Sequence, residues 1–181
     1  MKNINWNDVE EAKEFSRLPV GGYICGIVRV EDFPDKEYLR IEYDIADGEF
    51  KNYYREQQQK FPDWNWGGVL IRSYKEKAQP FFKAFLTSVE KSNSGYKFGN
   101  DENTLSRKMV GLVLGEEEYS KSKGGIGTRL YVAEVHSTQA IKDGKFEIPK
   151  LKTLSGSAAP ATTNSSGFQE IDGLSDEDLP F

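Results

Sequence analysis

The chain has very few of the residues that build disulfides and metal centres. Its 181 residues include one cysteine, Cys25, and one histidine, His136. A single cysteine excludes an intrachain disulfide framework and favours a reducing compartment. A closed zinc site would need several Cys and His ligands at regular spacing, so we expect no metal and no other cofactor. Cys25 lies inside an apolar run, which favours a buried structural thiol over the nucleophile of a Cys25–His136 pair.

Long apolar segments and phosphate-binding motifs are also absent from the sequence. No apolar run approaches the roughly 18 residues that span a membrane. The polar start, Met1-Lys2-Asn3, is not typical of a signal peptide, so we expect a cytoplasmic protein with no membrane partner. The glycine-rich run at 124–127 lacks the Gly-Lys-Ser/Thr ending of a phosphate-binding loop and is interpreted as a turn.

Positive charge falls short of negative charge only in the C-terminal part. The sequence has 24 Lys+Arg and 29 Asp+Glu, which gives a formal net charge of -5. Five acids and no bases follow Ser155, and subtracting those five from 29 leaves 24 acids against 24 bases. A neutral body cannot attract a polyanion by its overall charge. Nucleic-acid binding would therefore need a local basic groove or base stacking.

Composition changes sharply near Leu154. Residues 155–166 read Ser-Gly-Ser-Ala-Ala-Pro-Ala-Thr-Thr-Asn-Ser-Ser, with no charge and no large apolar side chain. Such a segment cannot bury enough apolar surface to offset its ordering entropy. We predict one domain over 1–154, a flexible linker over 155–175 and an acidic tip at 176–181. About 20 residues of linker and acidic approach give the tip a reach on the order of 25 Å.

The body alternates in the manner of strands and contains one strong helix pattern. Strands are predicted at 23–30, 38–45 and 50–56, with 67–74 as a further strand or a continuation, and a final hairpin at 109–119 and 128–137. An amphipathic helix is predicted over 80–90, and a short helix or arm over 5–17. This order is that of an OB-fold, although other small barrels share parts of it. The predicted fold class is mainly β with one or two helices, an OB-fold-like five-stranded barrel plus a disordered C-terminal tail.

Aromatic side chains beside cations give the main binding signal in the body. Bases stack on aromatic rings without regard to sequence, at about 1–3 kcal/mol per base. Lysines and arginines in the loop between the last two strands of a barrel can follow phosphates. Packing at a barrel mouth and ordinary surface lysines are the alternative explanations. The predicted DNA-binding residues are Tyr53, Tyr54, Arg55, Trp64, Trp66, Arg72, Tyr74, Lys75, Lys121, Lys123 and Arg129.

Three consecutive glutamates, Glu116, Glu117 and Glu118, raise the hypothesis of a metal-dependent nuclease together with Asp44 or Asp47. Consecutive residues of a strand point to opposite faces of the sheet, so the three carboxylates cannot all converge on one metal. We interpret the run as a solvated strand end and expect a protein that is not an enzyme.

The last six residues combine acid with exposed apolar side chains. They are Asp176, Glu177, Asp178, Leu179, Pro180 and Phe181. An acidic run alone usually serves solubility, but solubility gains nothing from a leucine and a phenylalanine. An aromatic ring beside a free carboxylate fits a partner that offers an apolar pocket and an Arg or Lys. The tip is therefore predicted to dock onto other proteins.

The tip resembles the acidic Asp-Asp-Asp-Ile-Pro-Phe ending of bacterial single-stranded DNA-binding proteins, with Leu179 in place of the usual Ile. The body resembles a family encoded in the replication and recombination modules of phages and prophages of Gram-positive bacteria. Four segments carry this second resemblance: Trp6-Asn7-Asp8-Val9-Glu10-Glu11-Ala12, Leu18-Pro19-Val20-Gly21-Gly22-Tyr23, Ile71-Arg72-Ser73-Tyr74-Lys75-Glu76-Lys77-Ala78 and Val113-Leu114-Gly115-Glu116-Glu117-Glu118-Tyr119. The resemblance implies a phage single-strand binder in the bacterial host cell, whose linker and tip recruit replication, recombination and repair enzymes.

The expected function is largely sequence-independent binding of single-stranded DNA without catalysis, in phage replication or recombination. The tip would recruit host or phage replication and recombination proteins, and a homo-oligomer is compatible with the sequence. An adaptor that binds a recombinase or a nuclease is the alternative, because a neutral barrel with a docking tip suits that role as well. A metal-dependent nuclease is the third hypothesis.

Overall fold

The computed structural model describes residues 17–154. Five strands, β1 (Gly21–Phe33), β2 (Tyr38–Ile45), β3 (Val69–Ser73), β4 (Met109–Ser120) and β5 (Ile126–His136), are joined with three α-helices, α1 (Tyr53–Lys60), α2 (Gln79–Ser92) and α3 (Thr138–Lys142). Of the predicted N-terminal helix or arm over 5–17 only Arg17 is described, and the linker at 155–175 and the tip at 176–181 lie outside the described residues. Within 17–154 no helix is long and apolar enough to cross a membrane.

All five strands form one antiparallel sheet in the order β3-β2-β1-β4-β5. Strand β1 is long enough to serve two neighbours: Gly21 lies opposite Leu114 on β4, and Phe33 lies opposite Tyr38 on β2. No ladder between residues 17 and 154 joins β3 to β5, so the sheet does not close. A five-stranded, partly open barrel is the OB-fold architecture, and the predicted mainly β, OB-like fold is confirmed.

The core follows the alternation predicted for β2. Leu39, Ile41, Tyr43 and Ile45 point to one face and are each 3% exposed or less. Fully burying a side chain of this size contributes roughly 1.5–3 kcal/mol. These four side chains pack with buried residues from β1, β3, β4 and α2, namely Cys25, Ile27, Leu70, Leu112, Leu114 and Phe85.

Helix α2 fills the gap between the two edge strands of the sheet. Of the predicted apolar stripe, Phe85, Leu86 and Val89 are buried, whereas Phe81 and Phe82 are partly buried. The Phe85 ring lies 6.0 Å from the guanidinium carbon of Arg72 on β3, and the Ser88 hydroxyl lies 3.5 Å from the carbonyl oxygen of Val135 on β5. The helix therefore packs where hydrogen bonds between β3 and β5 would otherwise close the barrel.

The predicted strand at 50–56 is wrong, because the chain turns there and enters helix α1. The cause is the buried carboxylate of Asp44 on β2. Its Oδ1 accepts the N–H of Tyr54 at 2.9 Å and its Oδ2 accepts the N–H of Arg55 at 3.2 Å. These N–H groups belong to the first turn of α1, which has no partner for them within the helix. A cap supplied by a distant strand stabilises a helix that the local pattern does not indicate.

The chain returns to β4 after α3. The N–H of Lys152 donates to the carbonyl of Glu116 at 3.0 Å, and the carbonyl of Lys152 accepts the N–H of Glu118 at 2.8 Å. Lys152 thus forms a parallel bridge with Glu117, on the side of β4 that β1 leaves free beyond Gly21. The last described residue, Leu154, lies directly beyond this bridge.

Candidate nucleic-acid interface

Strand register divides the predicted binding residues between two ends of the sheet. Glu42 near the end of β2 pairs with Val69 at the start of β3, so the connection between them lies at one end. The β4–β5 hairpin extends past Leu114, beyond the start of β1, towards the same end. We call this the hairpin end. It carries Tyr53, Tyr54, Arg55, Trp64, Trp66, Lys121, Lys123 and Arg129. The opposite end, where β3 leads towards α2, carries Arg72, Tyr74 and Lys75.

Two aromatic rings lie stacked on the surface of the hairpin end. The rings of Phe61 and Trp64 are nearly parallel, at 14°, with centroids 4.3 Å apart. Trp64 is 55% exposed and Phe61 is 37% exposed. The loop that holds them is fastened by the Gln58 amide, which donates to the carbonyls of Pro62 and Trp64 at 2.9 Å each. Phe61 was not among the predicted binding residues, although its spacing of three from Trp64 in a turn-forming segment was a usable signal.

Trp66 and Tyr54 have structural contacts instead of open faces. The indole N–H of Trp66 donates to the carbonyl of Tyr43 at 3.0 Å, and its ring packs against Tyr54. Tyr54 is 6% exposed, and burial raises the pKa of its hydroxyl. Tyr53 is half-buried, and its hydroxyl accepts the N–H of Leu18 at 3.2 Å. These three side chains therefore make structural contacts at the hairpin end.

The buried carboxylate of Asp44 binds the first turn of α1, which carries Tyr53, Tyr54 and Arg55. It accepts the N–H groups of Ile45, Tyr54 and Arg55, and it is 5% exposed. Burial raises the pKa of Asp44, and the three N–H donors oppose that rise. The Arg55 side chain itself is exposed on α1, at the same end as Trp64.

Cations at the hairpin tip are exposed, whereas the arginine on its stem is engaged. Lys121 and Lys123 lie in the exposed turn between β4 and β5, as the sequence predicted for the hairpin loop. The Nε of Arg129 donates to Glu117 at 2.7 Å, and its guanidinium lies 5.6 Å from the ring centroid of Tyr119. The tip therefore offers two lysines to an anion, while Arg129 balances a neighbouring acid.

Each glutamate of the run 116–118 has its own partner. Glu116 lies 2.7 Å from Arg17, and Glu117 lies 2.7 Å from Arg129. Glu118 accepts the N–H of Leu154 at 3.2 Å. The three carboxylates thus make separate contacts. Among residues 17–154 no group of three or more His, Cys, Asp or Glu side chains is arranged to hold a metal ion.

The opposite end gathers the remaining predicted residues, and two of them are engaged there. Arg72 is 7% exposed, and burial lowers its pKa to about 10, so the guanidinium stays charged at neutral pH. Its Nη1 donates to the carbonyl of Ile71, while its buried Nε has no hydrogen-bond partner among residues 17–154. The Tyr74 hydroxyl donates to Asp32 at 2.9 Å, and desolvation together with this contact raises its pKa to about 12. Lys75 is exposed.

The single cysteine and the single histidine take up separate roles. Cys25 is fully buried in β1, and burial raises the pKa of its thiol. The Nε2 of His136, on β5, lies 2.6 Å from a carboxylate oxygen of Glu134. Both observations accord with the interpretation of Cys25 as a structural thiol.

No model of a protein family matches the sequence, and a search of curated proteins found no match.

Proposed function

We propose that this protein binds single-stranded DNA without catalysis and recruits partner proteins through its C-terminal tip. The observation that carries the proposal is the exposed, stacked pair of Phe61 and Trp64 at the hairpin end of an OB-like sheet. A soluble domain gains no stability from presenting a large ring to water, whereas an unpaired base gains a stacking surface.

Stacking can supply useful affinity at this position. The outer face of Trp64 can take one base, at about 1–3 kcal/mol. The loop is already ordered by the Gln58 amide, so little ordering entropy is lost when the base binds. Stacking does not depend on base identity, which supports sequence-independent binding.

Cations at the same end supply the contacts to phosphate. Arg55 on α1 and Lys121 and Lys123 at the hairpin tip are exposed on the two sides of the hairpin end. The neighbouring glutamates are held by Arg17, Arg129 and a backbone N–H, which reduces their repulsion of a phosphate chain. A neutral domain can therefore hold a polyanion through local contacts at low ionic strength.

Recruitment rests on the sequence of the tip at 176–181. Its acidic residues and its Leu179 and Phe181 resemble the docking end of bacterial single-stranded DNA-binding proteins. Together with the resemblance of the body to phage replication and recombination proteins, this supports a role in phage DNA replication or recombination. The partners would be host or phage enzymes of those processes.

Titration of the full chain with oligo-dT at low ionic strength tests the proposal. Stacking on Trp64 should quench the intrinsic tryptophan fluorescence, and raising the salt concentration should weaken the binding. The matched variant Trp64→Phe should remove most of the quenching while the protein remains folded. A folded protein that binds no oligo-dT at low salt would contradict the proposal and favour the adaptor hypothesis.

A further inference from the structure

Arg17 joins the two strands of the hairpin on the inner face of the sheet. Its Nη1 lies 2.7 Å from Oε1 of Glu116 on β4 and 2.8 Å from Oγ1 of Thr128 on β5. One guanidinium nitrogen therefore contacts both strands close to the base of the projecting hairpin. The side chain of Arg17 is 51% exposed, so water reaches this bridge from one side.

The next residue, Leu18, contacts helix α1, which leads to the stacked aromatic pair. Leu18 is 1% exposed and belongs to the core, so its backbone is fixed. Its N–H donates to the hydroxyl of Tyr53, in the first turn of α1. Arg17 and Leu18 thus connect the hairpin, which carries the tip lysines, to the helix that precedes the stacked pair.

The pairing also balances a charge that faces the same side of the hairpin. Glu116 lies opposite Leu130, a residue packed against the core, so its side chain points to the inner face of the sheet. Without Arg17 this carboxylate would stand unpaired at the base of the hairpin. An unpaired carboxylate there would repel a phosphate chain that follows the hairpin.

We infer that the nucleic-acid site has two halves, the stacked pair Phe61–Trp64 and the tip lysines Lys121 and Lys123, and that Arg17 is the positioning residue that holds one relative to the other. The inference rests on the proposed function. It deepens that function, because it makes the preferred ligand a strand long enough to occupy both halves. A short strand would contact only the stacked pair and would not reach the tip lysines.

Arg17→Ala, compared with the wild type on two lengths of oligo-dT, tests this inference. OB domains occupy roughly 4–16 nucleotides. A strand of about 4 nucleotides should therefore occupy only the stacking half of the site, and a strand of about 16 nucleotides should occupy both halves. We expect the variant to bind the 4-mer as the wild type does and to bind the 16-mer about tenfold more weakly at low salt, because the tip lysines then contribute less to binding the longer strand. Circular dichroism and thermal unfolding establish that the variant is folded.

Two further variants separate geometry from charge. Arg17→Lys keeps the charge, and its single amine can reach one of the two partners. Arg17→Ala with Glu116→Gln removes the unpaired carboxylate. If position matters, the lysine variant should recover part of the affinity for the 16-mer, and the double variant should remain weaker than the wild type.

Three outcomes would overturn the inference. Equal binding of both lengths by wild type and Arg17→Ala would show that the hairpin needs no positioning. An equal loss on both lengths, with a shallower salt dependence on the 4-mer, would show that Arg17 contacts phosphate directly. Full recovery in the double variant would reduce the role of Arg17 to balancing charge. Failure of the wild type to bind either strand would instead reject the proposed function.

Discussion

The carboxylate of Asp44 accepts the backbone N–H of Tyr54 at 2.9 Å, across ten residues of chain and from strand to helix. The same carboxylate accepts the N–H groups of Ile45 and Arg55. One buried acid therefore binds the backbone at the end of β2 and in the first turn of α1. Helix α1 in turn leads to the loop that holds the stacked aromatic pair. An acid considered as a metal ligand on sequence grounds is thereby explained as a helix cap.

Replacing Asp44 by alanine should destabilise the fold. The change removes the acceptor of three backbone N–H groups, those of Ile45, Tyr54 and Arg55, and should cost about 1–3 kcal/mol in total where water partly replaces the carboxylate. Asp44→Asn keeps one acceptor, the amide carbonyl oxygen, and avoids burying a charge. It should therefore lower the free energy of unfolding by less than the alanine change. Urea unfolding of both variants measures the difference. Equal stability of Asp44→Ala and the wild type would contradict the capping role.

Removing the exposed ring at position 64 should weaken DNA binding without weakening the fold. Trp64→Ala should lose about 1–3 kcal/mol of binding to oligo-dT, which corresponds to roughly 5- to 150-fold in affinity. The matched control is Trp66→Phe, which loses the hydrogen bond to the Tyr43 carbonyl. That control should lower the free energy of unfolding by about 1 kcal/mol and leave the binding affinity nearly unchanged. The reverse pattern would place the stacking surface at Trp66.

The lysines of the hairpin tip should control the salt dependence of binding. Each phosphate contact on a single strand contributes about 0.7 to the slope of log K against log salt concentration. Changing both Lys121 and Lys123 to glutamine should therefore lower the magnitude of the slope for a 16-nucleotide strand by about 1.4. Lys75→Gln, at the opposite end of the sheet, serves as the control and should leave the slope unchanged. An effect of Lys75 equal to that of the tip would contradict the placement of the site.

Glu90 should give a measurable pH dependence of stability. Its carboxylate accepts hydrogen bonds from Lys97 at 2.9 Å and from the N–H of Phe98 at 3.1 Å, and these contacts lower the pKa of Glu90 from its ordinary value. A lowered pKa in the folded state adds stability above the ordinary value, and this stability is lost as the pH falls through the lower folded value. Urea midpoints should therefore differ between wild type and Glu90→Gln at pH 7 and converge as the pH falls through the lowered folded-state pKa of Glu90. A difference that persists unchanged at low pH would contradict this linkage.

Deletion of the acidic C-terminal tip, residues 176–181, should separate recruitment of partner proteins from DNA binding. Without residues 176–181 the protein should bind oligo-dT with unchanged or higher affinity, because the deletion removes negative charge and no proposed contact. Capture of host replication or recombination proteins should be abolished. The double change of Leu179 and Phe181 to alanine keeps the acids and should also abolish capture, at unchanged DNA affinity. Loss of DNA binding on deletion would contradict this division of roles.

Most of the fold could be predicted from local patterns. Alternation at 38–45 gave β2 with its buried face, and the stripe of α2 gave the helix that packs between the sheet edges. Glycines between two strongly β-like runs gave the β4–β5 hairpin. Helix α1 could not be predicted, because Tyr53 and Tyr54 favour strands and the deciding cap comes from Asp44 on another element.

The candidate site was only partly predictable for the same reason. Sequence shows that rings and cations are close along the chain, but it does not show which ring is exposed. Trp64 is open and Trp66 is fastened to the Tyr43 carbonyl, although only one residue separates them. Arg72 and Tyr74 looked equivalent to Arg55 and Tyr53, yet strand register places the two pairs at opposite ends of the sheet.

Helix α2 packs between the edge strands β3 and β5, so no ladder of hydrogen bonds sets the separation of these two strands. In a closed barrel the spacing of neighbouring strands is fixed at about 4.8 Å by the ladder that joins them. Here the contacts between the two edges are made by side chains of α2 instead, Phe85 with Arg72 on β3 and Ser88 with Val135 on β5. We therefore expect substitutions of these α2 side chains to change the separation of β3 and β5 while the strand pairing of the sheet stays intact.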